Sequence, residues 1–224
     1  DAAANLEKAL VRDPDDGLAW YYLGAARFKL AQWEEARRCG YQAVRKLSTA
    51  AQGYDLVGRA EMRLGDPQAA LRAFQQAALL NPEDALARDH VILAAFAAGQ
   101  LEDARALAEK AAASDPLDLI PRAVLALKDE ASMKQFVDQA QWFVGEYDFE
   151  IMETCFAFTD LGMNTEASQI LQGAYLDAVP EREQSPLPLY LAARLQAVQG
   201  DEKAAMKYLK EAAKKSSDYV FPSH

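Results

Sequence analysis

Apolar side chains recur along most of this chain at intervals of three and four residues, interrupted by short polar turns. That is the spacing of helices that bury one face. The stretch WYYLGAARFKLAQWEEARRCGYQAVRKL holds two such patterns, divided at Ala31–Gln32. YDLVGRAEMRLGDPQAALRAFQQAALLNPED does the same around Gly65–Asp66, and a third copy turns at Gly99–Gln100. Equivalent positions keep a fixed interval. Gly24 and Gly58, Gly65 and Gly99, Pro82 and Pro116, and Trp20 and Tyr54 each stand 34 residues apart. Ala36, Ala70 and Ala104 keep the same interval, as do Ala43, Ala77 and Ala111. The pattern predicts a repeated helix–turn–helix unit, all-α in class.

Within each copy the residues resemble the tetratricopeptide repeat (TPR) family, whose pattern runs Trp, Leu, Gly, then Ala, aromatic, Ala and a closing Pro. Trp20, Leu23, Gly24, Ala36 and Ala43 meet it first. Tyr54, Val57, Gly58, Ala70, Phe74, Ala77 and Pro82 follow, then Val91, Ala104, Ala111 and Pro116. Small residues suit the close crossing of two helices, and large ones fill the gap to the next unit. The resemblance implies a right-handed helical solenoid of about six helix pairs. Ala2, Leu6, Ala9 and Pro14 match a second helix alone, so residues 1–16 read as the end of a truncated repeat. Full repeats are expected at 17–50, 51–84 and 85–118, and again at 147–180 and 186–219. Between them, 119–146 is an irregular pair, with helices expected near Pro121–Lys128 and Ser132–Val144. The connector Pro180–Pro188 lengthens the following interval.

Composition agrees with helix. Alanine and leucine supply 72 of 224 residues, against 11 Gly and 9 Pro. The net charge of −10 argues against a nucleic-acid backbone as partner. The longest uncharged apolar run, Val91–Gly99, falls far short of the ~20 residues of a membrane span. No signal segment opens the chain, which starts at Asp1 and is expected to be a processed or excised piece. The two cysteines, Cys39 and Cys155, read as small buried apolar side chains, with a lean towards a reducing, cytoplasmic compartment.

Catalysis finds little footing in these residues. The histidines are His90 and the terminal His224, and no CxxC, HExxH or phosphate-binding glycine loop is present. The expectation is a non-catalytic module with no cofactor and no metal. Glu34–Glu35, Asp15–Asp16 and Asp201–Glu202 are expected at helix starts, where they complement the dipole.

The TPR resemblance implies a binding surface lined by the first helix of each copy, at its second, fifth, sixth, ninth and twelfth places. Those are Leu18, Tyr21, Tyr22, Ala25 and Phe28, then Gln52, Asp55, Leu56, Arg59 and Met62, then Leu86, Asp89, His90, Leu93 and Phe96. Tyr21, Tyr22, Phe28, Asp55, Arg59, Met62 and His90 are the binding candidates, with His90 as a polar lining residue. Some TPR proteins clamp acidic chaperone tails with Lys, Asn and Arg. Here Tyr21, Ala25, Asp55 and Arg59 hold the Lys and Asn places, so that clamp is absent. The expected partner is a protein or peptide, or another domain of the parent chain.

Charge is unevenly distributed. Asp129 to Glu183 holds 12 acidic residues and two basic ones, Lys134 and Arg182. On the helix expected at Tyr147–Leu161, Phe149, Met152 and Phe156 share one stripe, and Ile151, Cys155 and Phe158 another. Two readings stand: a helix buried on both sides, or a groove of Phe149, Met152, Phe156, Glu153 and Asp160 for a basic and apolar segment. The ending DYVFPS (tail 218–224) is similar to large bacterial proteins that join a sugar-mutarotase-like β-sandwich to TPR units. That implies the helical arm of a carbohydrate-related parent as the rival reading.

Overall fold

Helices α1 (Ala2–Arg12), α2 (Gly17–Lys29), α3 (Trp33–Val44), α4 (Ala50–Leu64), α5 (Pro67–Leu80), α6 (Ala85–Ala97) and α7 (Leu101–Ser114) follow the 34-residue copies. The computed structural model describes residues 2–143 and 147–215, and leaves out the side chains of 141–143. Among these residues all regular structure is helical. The irregular pair is the short α8 (Leu119–Ala126) with α9 (Glu130–Phe143). Beyond it come α10 (Tyr147–Asp160) with α11 (Asn164–Leu171), and α12 (Pro186–Val198) with α13 (Glu202–Ala212). The tail 218–224 lies outside the described residues. The chain divides into two compact units, Asp1–Leu107 and Ala108–His224.

One turn recurs in both units. Ala31, Gly65, Gly99, Gly162 and Gly200 all take positive φ, between 57° and 86°. The following amide closes each helix: Gln32 N donates to Arg27 O, Asp66 N to Glu61 O, and Gln100 N to Ala95 O. Met163 N to Phe158 O and Asp201 N to Gln196 O do the same. This is the Schellman arrangement, which satisfies otherwise orphaned carbonyls and favours glycine because it lacks a Cβ. Four of the turns use glycine; the first uses alanine.

Helix starts are written just as locally. Pro14, Pro82 and Pro116 each precede by two residues an aspartate, Asp16, Asp84 or Asp118, whose carboxylate accepts from the first-turn amides of α2, α6 or α8. Asp66 and Asp201 cap α5 and α13 in the same way. Glu34 and Glu35 fall in the first turn of α3, as expected. Between α3 and α4 there is no Pro–x–Asp; a 3-10 turn, Leu47–Thr49, makes the junction instead. The sequence connector Pro180–Pro188 is shorter than expected, since Pro186 and Pro188 lie inside α12, where Pro suits the first turn.

In the first unit the small residues sit where helices nearly touch. Ala36, Ala43, Ala60 and Ala70 are fully buried. A Cβ on Gly24 would lie 2.4 Å from Leu56 Cδ2, and one on Gly58 would lie 2.5 Å from the Phe74 ring. Gly40 on α3 and Gly53 on α4 bring backbone against backbone: a Cβ on Gly53 would stand 2.8 Å from Val44 N and 2.9 Å from Gly40 O. In the second unit Ile151, Cys155, Phe158, Ile170 and Leu171 build the core. There α11 ends in a π-helical turn, Gln172–Leu176. That turn buries Tyr175, whose hydroxyl donates to Asp148 Oδ2 at 2.9 Å and accepts from Ser185 N at 2.9 Å.

Candidate interaction faces

The turn residues give a common ruler for the first helices. Counting back 13 residues from each reaches Leu18, Gln52, Leu86, Phe149 and Leu187. The first four are exposed and Leu187 is half-buried. Counting back nine or ten reaches Tyr21 and Tyr22, Asp55, His90, and Met152 with Glu153; six back are Arg59 and Phe156. The expected binding residues therefore share one register, set by a left-handed turn that fixes the phase of each helix.

In the first unit this register gathers Tyr21, Asp55, Arg59 and His90. His90 Nδ1 lies 2.6 Å from Asp55 Oδ1, and the other oxygen of that carboxylate is 4.0 Å from the Arg59 guanidinium. Burial raises the pKa of the Tyr21 phenol above its ordinary value, and the negative Asp55 raises it further. The Arg59 guanidinium stacks on the Phe28 ring at 4.5 Å. Phe28 meets Trp33 edge-on at 4.9 Å, and Arg63 covers Trp33 at 4.6 Å. Cation, two rings and cation form one ladder across the first turn. Tyr22 stands at the rim, 53% exposed and tilted against Tyr21.

Burial corrects several expectations. Phe28 and Met62 lie beneath the surface, with 4% and 9% exposure, because α4 packs over the end of α2. His90 is also buried, its ring stacked 4.8 Å from Phe74. It supports Asp55 from below and does not line the face. Trp33 and Arg63 were missed from the sequence. Their signal was the pairing of Arg59 and Arg63 one turn apart on α4 with aromatics on both sides of the Ala31 turn.

In the second unit, α10 is not buried on both sides. Ile151, Cys155 and Phe158 are fully enclosed, whereas Phe149 and Phe156 are 43% and 38% exposed. Glu153 is exposed and Asp160 half-buried beside them. Met152 is buried and leaves the candidate stripe. Cys39 and Cys155 are free and buried, as expected; burial pushes both thiols up, Cys155 to about 12. A cleft of about 530 Å³ also opens beside the π-helical turn, walled by Asp129, Met133, Ser168, Gln172, Gly173 and Gln199. Gly173 makes room in it, since a Cβ there would meet Met133 at 2.7 Å.

Among the described residues no group of three or more His, Cys, Asp or Glu is placed to hold a metal ion. No helix among them is long and apolar enough to cross a membrane.

Models of the tetratricopeptide repeat family match residues 5–38 and 58–118. A tetratricopeptide repeat protein from Parabacteroides merdae is similar in structure over 97% of this chain and 86% of its own, at 14% identity and a TM-score of 0.57. PilF of Pseudomonas aeruginosa is similar over 88% and 90%, at 17% identity and a TM-score of 0.52. YrrB, described as a TPR protein with an unusual peptide-binding site, is similar over 97% and 95%, at 15% identity and a TM-score of 0.50. At such identities the likeness is one of fold. No curated protein matches the chain.

Proposed function

We propose that this chain, whose residues 5–38 and 58–118 match models of the tetratricopeptide repeat family, is a non-catalytic interaction module whose first-helix faces hold a segment of another protein or a further domain of its parent. The observation that supports this most is the shared register of Tyr21, Tyr22, Asp55 and Arg59 on successive first helices. Polar groups are held there by neighbours within the unit, and Leu18, Tyr22 and Leu86 remain exposed around them. Aromatic and arginine side chains backed by a fixed network lose little entropy on contact, which is how interface anchors work. Asp55 and Arg59 supply an acceptor and a donor set side by side, suited to the backbone and polar side chains of a bound segment.

A photo-crosslinking amino acid placed at Tyr22 or Leu86, and at Leu79 on the second helix α5 as a control, tests this reading in the native cells. One common partner captured from positions 22 and 86, absent at 79 and lost with Arg59→Ala, is the expected result. Capture that is equal at all three positions, or unaffected by Arg59→Ala, would sink it.

A further inference from the structure

Phe149, Glu153, Phe156 and Asp160 lie along one side of α10, at intervals of four, three and four residues. With 100° per residue they fall within a narrow stripe, aromatic and acidic in turn. The opposite side of the helix is the core of the second unit, so this stripe is what α10 presents outward. Phe149 and Phe156 are the two aromatic side chains of α10 left substantially exposed, although the same helix buries Phe158 completely.

The charge along the stretch that holds the stripe is one-sided. No Lys or Arg occurs between Gln135 and Glu181. On the preceding first helix, Arg122 is turned towards Gln139 Oε1 and Ala112 O. On the following one, Arg194 is exposed six residues before the Gly200 turn. Asp148 accepts from the Tyr175 hydroxyl and Glu150 is half-buried, so Glu153 is the exposed carboxylate between the two rings.

We infer that this face of α10 docks a basic amphipathic helix of a partner protein, whose apolar side chains seat on Phe149 and Phe156 and whose Lys or Arg side chains reach Glu153 and Asp160. The inference rests on the interaction-module reading and gives it a second face with its own partner chemistry. Charge complementarity selects a basic occupant. Spacing selects a helix. The two rings stand seven residues apart, about 10.5 Å along α10. A helix laid beside it repeats one face at that same distance. An extended segment covers it in about three residues of ~3.3 Å and so turns successive anchors to opposite sides. The partner should carry large aliphatic residues seven apart with a basic residue in the turn between.

The test uses a fluorescent synthetic peptide of roughly 18 residues, long enough to hold a helix, with Leu and Lys in that pattern. A second peptide carries Glu for Lys, and a third is broken by a central Pro. Fluorescence anisotropy is read with the intact chain at 0.1 M and 1 M salt, where the Debye length falls from ~10 Å to ~3 Å. The Lys peptide should bind and weaken with salt, and the Glu and Pro peptides should bind at least roughly tenfold less tightly. Phe149→Ser with Phe156→Ser should abolish binding, and Glu153→Lys with Asp160→Lys should transfer preference to the Glu peptide. The charge-swapped chain keeps the question open to test if the serine variant fails to fold, which circular dichroism reports. Equal affinity for Lys and Glu peptides, or no reversal by the swapped chain, overturns the basic partner. Equal binding of the Pro peptide overturns the helix. Concentration-dependent dimerisation abolished by Phe149→Ser would give the face to a second copy and also overturn the inference. Crosslinking at positions 22 and 86 is read separately, so its loss alongside intact peptide binding would tell against the first face alone.

Discussion

Ala31 offers a direct measure of what the recurring turn costs. It takes φ 57° where four equivalent turns use glycine, and its side chain is exposed. An L-residue in the left-handed region loses roughly 1–2 kcal/mol to the clash of its Cβ with the carbonyl. Glycine relieves that clash, but its freer unfolded chain takes back roughly 0.5–1 kcal/mol. Because the methyl is exposed, little apolar burial is forfeited. Ala31→Gly should therefore stabilise the first unit by about 0.5–1 kcal/mol, seen as a higher urea midpoint at unchanged slope. Trp20 and Trp33 belong to that unit, so a Trp142→Phe background lets fluorescence follow it alone. The mirror experiment is Gly65→Ala. A Cβ there meets nothing within 4 Å, so only backbone strain is added, and the expected loss is again about 0.5–1 kcal/mol. Stability unchanged or lowered in Ala31→Gly, with Gly65→Ala neutral, would refute the account of the turn.

Other substitutions probe packing and burial. Ala70→Leu adds three carbons at a fully buried position of α5 and should cost roughly 1–3 kcal/mol in urea unfolding. Gly53→Ala should cost at least as much, roughly 2–3 kcal/mol, because the obstructing atoms are backbone of α3 and cannot rotate away. Tyr175→Phe leaves Asp148 and the Ser185 amide short of a partner inside the second unit and should cost roughly 1–3 kcal/mol. Burial lifts the Tyr175 phenol from 10.0 to about 12, so the unfolded chain ionises first. Its contribution is complete below pH 10 and should drain away as pH rises from 10 to 12. Tyr175→Phe should flatten that part of the urea-midpoint profile.

The repeat itself was legible because it is written in local chemistry: Gly at the left-handed turn, Asp two residues after Pro, and alanine at the crossings. The first-helix register was legible for the same reason, since each turn sets the phase of the helix before it. Depth was not. Phe28 and His90 share that register with Tyr22, yet α4 and Phe74 cover them, and no count along one helix reveals what the next helix will hide. Met152 shows how narrow the margin is. It stands about 60° from Phe149 around α10, far enough towards the core to be enclosed. The π-helical turn at Gln172–Leu176 left no mark in the periodicity, because one added residue in a helix resembles ordinary drift of the apolar stripe.

The placement of the two thiols makes the molecule its own stability gauge. Cys39 belongs to the unit Asp1–Leu107 and Cys155 to Ala108–His224, and each is enclosed by its core. An alkylating reagent attacks the thiolate, which burial suppresses in both. Modification of either sulfur must therefore wait for the structure around it to open. When reclosing outruns alkylation, the labelling rate at each sulfur reports the population of that opened form. Mass spectrometry of the two cysteine peptides from one timed iodoacetamide reaction then yields two opening free energies at once. A ligand that binds the folded chain would slow the labelling of each sulfur whose opening it opposes.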